Sequence, residues 1–550
     1  MKRLPLLVVL GLLALAIAVP VTGGRLGFGE SPAPSSATPR PTTVAAATAT
    51  PAPTDTDTTA SQAPSPSPSA TAQPTPPALP VTDVAVVPVT QFRATVNATN
   101  RKEVAAVLAG TSRRYEALEL VESEADAILA ALGAERPSDA DRLVLARDAG
   151  ALSRDLAENR KRLAFLRADA VTPAVRALAW GDRTLFGVGR VTEPQEWRLQ
   201  AQLPAAPADT AFDPAATWTM FAGGDILLDR GVYQTVRING KGADFPFDGG
   251  TAQITGRTCC SAFGWPQPVT ERTGNKGAMR RLIKGADIAI ANFENPAPNR
   301  IRWHTKGTVF SADPGLIDGL VNAGIDSVSL ANNHIGDAGN VGIAQTIENL
   351  DERGLKHSGA GEDLEAARKP AMLEANGVTV AVLGYDAIAR AYFAGKDEAG
   401  SAQLALVRVK TDIKRAHTAG ADVIVVFPHW GTEYRYTPFS AQQELAHDII
   451  DLGADMIIGN HAHYAAAMEV YEGKPIWYAL GNFVFDQTWS EPTMVGITLE
   501  LTFHGPKLVQ TRMQPHVILD KAQPNFLDPA SGAKAVMGPI YDASKGLLPY

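Results

Sequence analysis

Six residues in the second half of this chain of 550 have side chains suited to holding a divalent cation: Asp225, Glu294, Asn333, His429, His461 and His463. They stand in Gly-Gly-Asp, Asn-Phe-Glu, Asn-Asn-His, Pro-His-Trp-Gly and Gly-Asn-His-Ala-His. Hydrolytic metal centres use carboxylate, imidazole and amide-oxygen ligands and keep one position open for water. Asp225 and Glu294 would supply negative charge, Glu294 with the reach to bridge two ions. Asn333 offers a neutral oxygen and the three histidines offer nitrogen. His334 follows Asn333 directly, would point differently, and suits a general acid, because imidazole exchanges a proton near neutral pH. Asp337 is placed either to orient that ring or to cap the helix beginning in GNVGIAQTIENL. Arg230, Arg302, His304 and Lys306 would suit a polyanionic substrate, although loops carry such charges anyway. Glu433, four residues past His429, is in range to support that ring. Trp430, Trp477 and Tyr478 read as packing residues, and His357, His417, His447, His504 and His516 as structural or exposed.

The motifs must be positioned by the runs that precede them. TWTMFAGGD, ADIAIANFE, IDSVSLANNH, DVIVVFPHWG and DMIIGNHAH each read as a short buried strand. Open α/β sheets gather ligands at the carboxyl edge of their strands, so five strand ends are expected to meet at one sheet edge. In His-x-His on a strand both rings face the same side. Between these runs lie helical patterns: GAMRRLIKGA, PGLIDGLVNAG, NVGIAQTIENLDERG, TDIKRAHTAG and SAQQELAHDIIDLG. KPIWYALGNFVFD, MVGITLELTF and KLVQTRMQPHVI add alternating strands. The expectation is an α/β fold over residues 216–520, a layered sandwich with mixed sheets, and a tail over 521–550 that packs on it.

Upstream, residues 81–205 alternate strand and helix patterns: VTDVAVVPVTQF, a helix opened at Asn100, YEALELV, a helix closed by Gly133, RLVLA, RDAGALSRDLAENRKR and LAFLRA. That order predicts a small parallel α/β domain. Residues 25–80 are Pro, Ala, Thr and Ser with almost no large apolar side chain, the composition of a disordered spacer. Residues 1–24 open with Met1-Lys2-Arg3 and continue in an apolar run from Leu4 to Val21, which predicts export as a signal peptide or a retained membrane anchor. The formal charge of −8 and pI near 5.8, with no basic stripe, argue against nucleic acid as a partner. Cys259 and Cys260 are adjacent, and neighbouring cysteines rarely bridge, so they are read as two small loop residues.

Gly224-Asp225-Ile226-Leu227-Leu228, Asn292-Phe293-Glu294, Asn332-Asn333-His334, His429-Trp430-Gly431-Thr432-Glu433-Tyr434, Gly459-Asn460-His461-Ala462-His463 and EVYEGKPIWYALGNFVFDQ resemble the CapA family of capsule-synthesis proteins, linked to poly-γ-glutamate capsules. The resemblance runs from Thr217 to about residue 515. It implies the calcineurin-like metallophosphatase sandwich (α/β/β/α). It also implies one or two divalent ions (manganese, zinc or iron) held by Asp225, Glu294, Asn333, His429, His461 and His463, with His334 as catalytic acid. The chain departs from that superfamily at Leu227, where a histidine is usual, and at Glu294, where the bridging residue is usually aspartate. The implied function is that of an exported metal-dependent enzyme in the synthesis, anchoring or release of poly-γ-glutamate or a similar anionic polymer. Its expected partners are that polymer or a small anionic substrate, the cell envelope and membrane polymer synthase subunits. An extracytoplasmic phosphoesterase and a non-catalytic polymer escort are the competing readings. Separately, VAAVLAG and LRADAVTPAVRAL resemble pieces of one lobe of periplasmic phosphate-type solute-binding proteins, without a Ser/Thr-Gly phosphate loop, which implies a spacing or docking module.

Overall fold

The computed structural model describes residues 79–530 and 532–549. The expected export segment and spacer lie outside the described residues, apart from the last two spacer positions. Residues Pro76–Tyr550 form one compact unit. Among the described residues, no helix is long and apolar enough to cross a membrane.

The N-terminal portion is built on β1 (Val81–Gln91), α1 (Arg101–Leu108), β2 (Ala117–Val121), α2 (Ala125–Leu132), β3 (Leu143–Ala146), α3 (Ala149–Glu158), β4 (Arg162–Arg167), β5 (Val175–Ala177) and β6 (Gln200–Pro204). Helix ends follow local chemistry. The Asn100 side chain accepts from the Glu103 amide, and Gly133 ends α2 in the left-handed region at φ 65°. The strand order is β3-β2-β4-β1-β5, with β6 pairing β1. β2 runs parallel to β3 and β4 as expected, but β1 is antiparallel to β4, β5 and β6, so this sheet is mixed. This portion docks on the rest of the unit: Gln510 bonds the backbone of Val175 and Ala177, and Val188 N donates to Glu500.

The larger portion carries two sheets. The first has ten strands. It draws on β7 (Thr217–Ile226), β8 (Thr251–Thr258), β9 (Gln267–Gly274), β10 (Ile288–Phe293), β11 (Ser327–Ser329) and β12 (Lys356–Ser358), with α4 (Ala278–Gly285), α5 (Ile317–Ala323) and α6 (Gly339–Asp351) between them. The second has six strands. It uses β13 (Ala371–Ala375), β14 (Val378–Asp386), β15 (Val423–His429), β16 (Met456–Ile458), β17 (Met468–Tyr471) and β18 (Lys474–Trp477), with α7 (Leu406–Thr418) and α8 (Ser440–Asp451). The chain then returns to the first sheet through β19 (Asn482–Val484), β20 (Val495–His504), β21 (Lys507–Leu519) and β22 (Gln523–Leu527), and ends in α9 (Lys534–Ala543).

Strand order in the first sheet is β9-β8-β22-β21-β20-β7-β10-β11-β12, with β19 on β7; in the second it is β13-β14-β15-β16-β18-β17. Alternate residues on each strand face opposite layers. Met220, Ala222, Ile288 and Ile290 pack against Val380, Val423, Val425 and Met456 between the sheets. Phe221, Ala289, Ala291 and Val328 face out, onto Met279, Leu320 and Ile343 of the helices. Ile424, Val426 and Ile457 do the same on the far side, against Val409, Ile413 and Ile449. The result is the layered α/β/β/α sandwich that the sequence predicts.

Two expectations change. The five metal-type strands do not share one sheet edge: β7, β10 and β11 belong to the first sheet, β15 and β16 to the second. Their carboxyl ends converge because the two sheets stack with those ends together. Cys259 and Cys260 form a vicinal disulfide at the tip of the β8–β9 hairpin, contrary to their reading as two separate loop residues. In the tail, β22 pairs with β21 and β8, and α9 packs its buried Val536 and Ile540 into the inter-sheet core.

Candidate metal centre

Asp225 is the penultimate residue of β7, where the chain runs closest to β19. A Cβ at Gly224 would lie 1.9 Å from the Gly481 carbonyl, so only glycine permits the Asp225 amide to bond that oxygen. Glu294 comes directly after β10, its amide bonded to Ile226 O. Asp225 and Glu294 are both fully buried. Asp225 Oδ2 and both Glu294 carboxylate oxygens have no hydrogen-bond partner. An unpaired buried carboxylate costs several kcal/mol, on the order given for a desolvated ion, so these orphaned oxygens fit a cation. The ligand atoms of Asp225, Glu294 and His463 lie within 4.8 Å of one another.

Glu294 occupies the middle of the constellation. Its Oε1 is 3.8 Å from His463 Nε2 on one side and 3.6 Å from His429 Nε2 on the other. His429 Nε2 is 2.8 Å from Asn333 Oδ1 and 3.2 Å from His461 Nδ1. All six ligand candidates are thus brought together, in two poles that share Glu294. His429 ends β15, whereas His461 and His463 lie in the turn after β16 with φ of 90° and 55°. The expected in-strand His-x-His is therefore absent. A left-handed turn aims the two rings instead, and their centroids stand 6.3 Å apart.

Burial acts on these groups in opposite directions. It holds the Glu294 carboxyl well above its usual range, reinforced by the neighbouring Asp225 charge. It pushes His429 well below the ordinary imidazole range and His461 down to about 3, with the adjacent imidazoles adding to the effect.

Asparagines absent from the ligand reading hold the constellation in place. Asn292 Nδ2 donates to Asp225 Oδ1 at 2.8 Å and lies 3.3 Å from His429 Nδ1. Asn332 donates to Asn292 Oδ1 and to Phe293 O. Asn482 Oδ1 accepts from His463 Nδ1 at 2.9 Å, because its own amide protons go to Gln487 and Thr493 O. That leaves His463 Nε2 as the free lone pair, pointing toward Glu294. Asn292 and Asn332 lie inside the motifs quoted above; Asn482 carried no signal beyond its place in the Gly-Asn-Phe run.

His334 lies at the edge of the site. Its Nδ1 donates to Asp337 Oδ2 at 2.8 Å, its Nε2 is 3.2 Å from Asn333 Nδ2, and its ring packs 4.2 Å from Phe310. Asp337 also accepts from Phe310 N and Tyr392 OH, which fixes its orientation. It does not cap α6, whose N-cap residue is Ala338. Of the two roles open to Asp337, the geometry supplies the ring-orienting one.

The other candidates stand farther out. Arg230 is buried at φ 46°, its guanidinium bonded to Asp486 and Gly307 O and lying 4.8 Å over the Phe310 ring. His304 Nε2 bonds Val309 O and stands 3.7 Å from Asp229 Oδ2. Lys306 is exposed on the 299–308 loop. Glu433 is exposed, and its charge helps raise Glu294 and the Tyr434 hydroxyl. A cleft of about 810 Å³, lined by Arg300, Arg302, His304, Phe310 and Asp337, opens beside His334. Leu227 sits with Phe310, Phe485 and Ile518 in a small apolar cluster, so that position adds packing and no ligand.

With this geometry in hand, comparison with known proteins places the region. Residues 219–487 match the family described as bacterial capsule synthesis protein PGA_cap. This region is similar to the CapA family. Capsule biosynthesis protein CapA of Bacillus anthracis is 35% identical over 233 residues, covering 40% of this chain and 57% of that protein. PGA biosynthesis protein CapA of Bacillus subtilis (strain 168) is 32% identical, with 41% and 60% covered. A probable polyglutamine synthesis accessory protein of Mycobacterium tuberculosis is 28% identical over 295 residues, with 49% and 74% covered. The chain therefore spans 57% and 60% of the lengths of the two Bacillus relatives. Among solved structures, the NAD nucleotidase of Haemophilus influenzae is similar at TM-score 0.34 and 13% identity, covering 60% of this chain and 63% of that one. The calcineurin-like phosphoesterase YfkN of Bacillus subtilis is similar at 0.30 and 14%, covering 60% and 98%. At such scores these likenesses add nothing to the strand order of the CapA region described above.

Proposed function

We propose that the CapA region is a metal-dependent enzyme of an exported protein, acting in the synthesis, anchoring or release of an anionic envelope polymer of the poly-γ-glutamate type. The observation that carries this reading is the set of three partnerless carboxylate oxygens on Asp225 and Glu294, buried opposite His429, His461 and His463. A bound divalent cation would polarise an acyl or phosphoryl group and bring the pKa of its water toward neutrality. Asp225, Glu294 and His463 would hold one ion, and Asn333, His429 and His461 a second, with Glu294 shared. Asn292 and Asn482 keep the donors aimed, so little reorganisation is needed on binding.

His334 performs the proton work. Asp337 holds its Nδ1–H, so Nε2 is the ring atom that would exchange a proton with a departing amine or oxygen, which would have to displace the Asn333 amide that approaches it at 3.2 Å. Arg300, Arg302 and Lys306 on the cleft side form no ion pair among the described residues, whereas Arg237, Arg257, Arg272 and Arg280 each have a carboxylate partner. Unpaired cations in a chain of net charge −8 suit a substrate that brings its own carboxylates.

The test is to incubate the full chain with poly-γ-glutamate and a divalent ion and follow polymer length and end groups by size-exclusion chromatography with light scattering. Metal-dependent change that the Asp225→Ala, His463→Ala double variant abolishes supports the proposal. Fast hydrolysis of a simple aryl phosphate with no effect on the polymer would instead favour the phosphoesterase reading. Leu227 argues against that outcome, since it leaves one pole a ligand short of the superfamily set.

A further inference from the structure

A line of aromatic rings leads away from the metal centre, starting at His463. Tyr434 stacks on His463 at 5.9 Å with its plane tilted 28°. Trp489 meets Tyr434 edge-on at 6.2 Å, and Phe263, at the tip of the β8–β9 hairpin, meets Trp489 at 5.9 Å. The outer ring faces are open: Phe263 is 71% exposed, Trp265 56% and Tyr434 38%. Large apolar rings left in water as a group mark a binding surface rather than a packing residue.

The hairpin is fastened in this position. Arg257 makes a two-point ion pair with Glu491 at 2.5 and 2.8 Å, and Gln267 donates to Thr488 O. At the tip, Ser261 N bonds Trp265 O and Gly264 N bonds Ser261 O, which holds Phe263 and Trp265 outward. From Thr258 to Thr270 the chain carries no charged residue. The hairpin tip therefore offers no charge to a polyanion, and beside Tyr434 the exposed Glu433 and Arg435 carry opposite charges.

We propose that this aromatic arm is a subsite for a neutral glycan, with successive pyranose rings laid on Tyr434 and on the Phe263–Trp265 tip. The C–H face of a pyranose is weakly positive and apolar, matching the negative face of an aromatic ring. Its hydroxyls find acceptors and donors in Glu433 and in the hydroxyls of Tyr434 and Tyr464, whose rings are 5.8 Å apart. A membrane is the less suitable occupant. The rings run along the surface from the hairpin tip to the metal centre, and the tip packs against Trp489 instead of standing clear. The inference goes beyond the proposed polymer chemistry and does not depend on it, because binding at this arm needs neither metal nor turnover.

The test uses the full chain with two neutral probes, a hexamer of β-1,4-linked N-acetylglucosamine and a hexamer of α-1,4-linked glucose. Tryptophan fluorescence and saturation-transfer NMR report binding. At least one probe should bind, with little sensitivity to salt. The Phe263→Ala, Trp265→Ala double variant should weaken that binding at least tenfold while keeping the wild-type metal content and melting temperature. No binding of either hexamer to the wild type would overturn the proposal, as would equal binding by the double variant. Vesicles of phosphatidylglycerol that capture the wild type but not the double variant, with no hexamer bound, would overturn it in favour of a lipid surface.

Discussion

The two sheets contribute different chemistry to the centre. Strand β7 and the segments that follow β10 and β11 in the first sheet bring carboxylates and an amide; β15 and the turn after β16 in the second supply imidazoles. Burial treats the two halves alike and shifts them oppositely, raising Glu294 and lowering His429 and His461. Glu294, His429 and His461 are thereby driven toward their uncharged forms. Only a cation placed between them makes both ionised carboxylate and neutral imidazole favourable at once. The candidate metal centre is thus assembled at the interface between the sheets and by neither sheet alone.

The largest effect should come from removing the carboxylate half. Asp225→Ala with Glu294→Gln should abolish metal uptake and with it the metal-dependent rise in melting temperature. A ligand present at a thousandfold excess over its Kd contributes roughly 4 kcal/mol to stability. Calorimetric scans with and without chelator measure this, and a variant that kept the full metal shift would break the two-half account.

Next in size is His334, which belongs to neither ligand group. His334→Ala should keep the metal and lose roughly 10²–10⁴-fold in turnover, the scale of acid–base groups. Asp337→Asn should leave metal unchanged and lower turnover by less than His334→Ala, because it weakens the hydrogen bond that orients the His334 ring. Equal loss of metal and rate in His334→Ala would turn it into a ligand.

Smaller still are the orienting amides. Asn482→Ala frees the His463 ring and Asn292→Ala frees both Asp225 and His429, so each should weaken metal affinity by roughly 10–100-fold. Titration with a competing fluorescent chelator reads this directly.

One further effect falls outside the ligand set. His516 on β21 is fully buried, donates from Nε2 to Asn482 O at 2.9 Å, and burial lowers its pKa to about 4. Between the ordinary value of 6.5 and about 4, the unfolded chain takes up a proton that the folded chain refuses. Stability therefore falls as pH drops through that window, by up to about 3 kcal/mol for this group. Urea melts of wild type and His516→Gln at pH 7 and 4.5 should show the smaller pH loss in the variant.

Much of this was legible in the sequence because metal-type residues stood at the ends of apolar runs, and those runs are β7, β10, β11, β15 and β16. The division into two sheets was not, since a buried parallel strand reads the same in either. β14 escaped notice although it pairs with β15: VTVAVLGYD ends in Asp386, whose carboxylate is used up by the Ile388 and Ala389 amides and Ser401. The β8–β9 hairpin was hidden by its weak alternation, QITGRT against VTERTG, where most side chains are exposed. Asn482 was invisible for a different reason. A supporting amide needs only to face its histidine across 19 positions of sequence, and no local pattern encodes that.

The most direct test of the two-half account is the metal position itself. Crystals of the full chain grown with manganese or zinc, measured at the metal's absorption edge, would give anomalous density for each ion. The account predicts density bonded to Asp225, Glu294 and His463, with any second ion on Asn333, His429 and His461 and sharing Glu294. Metal bound elsewhere, or none at saturating concentration with Glu294 remaining protonated and unpartnered, would contradict it.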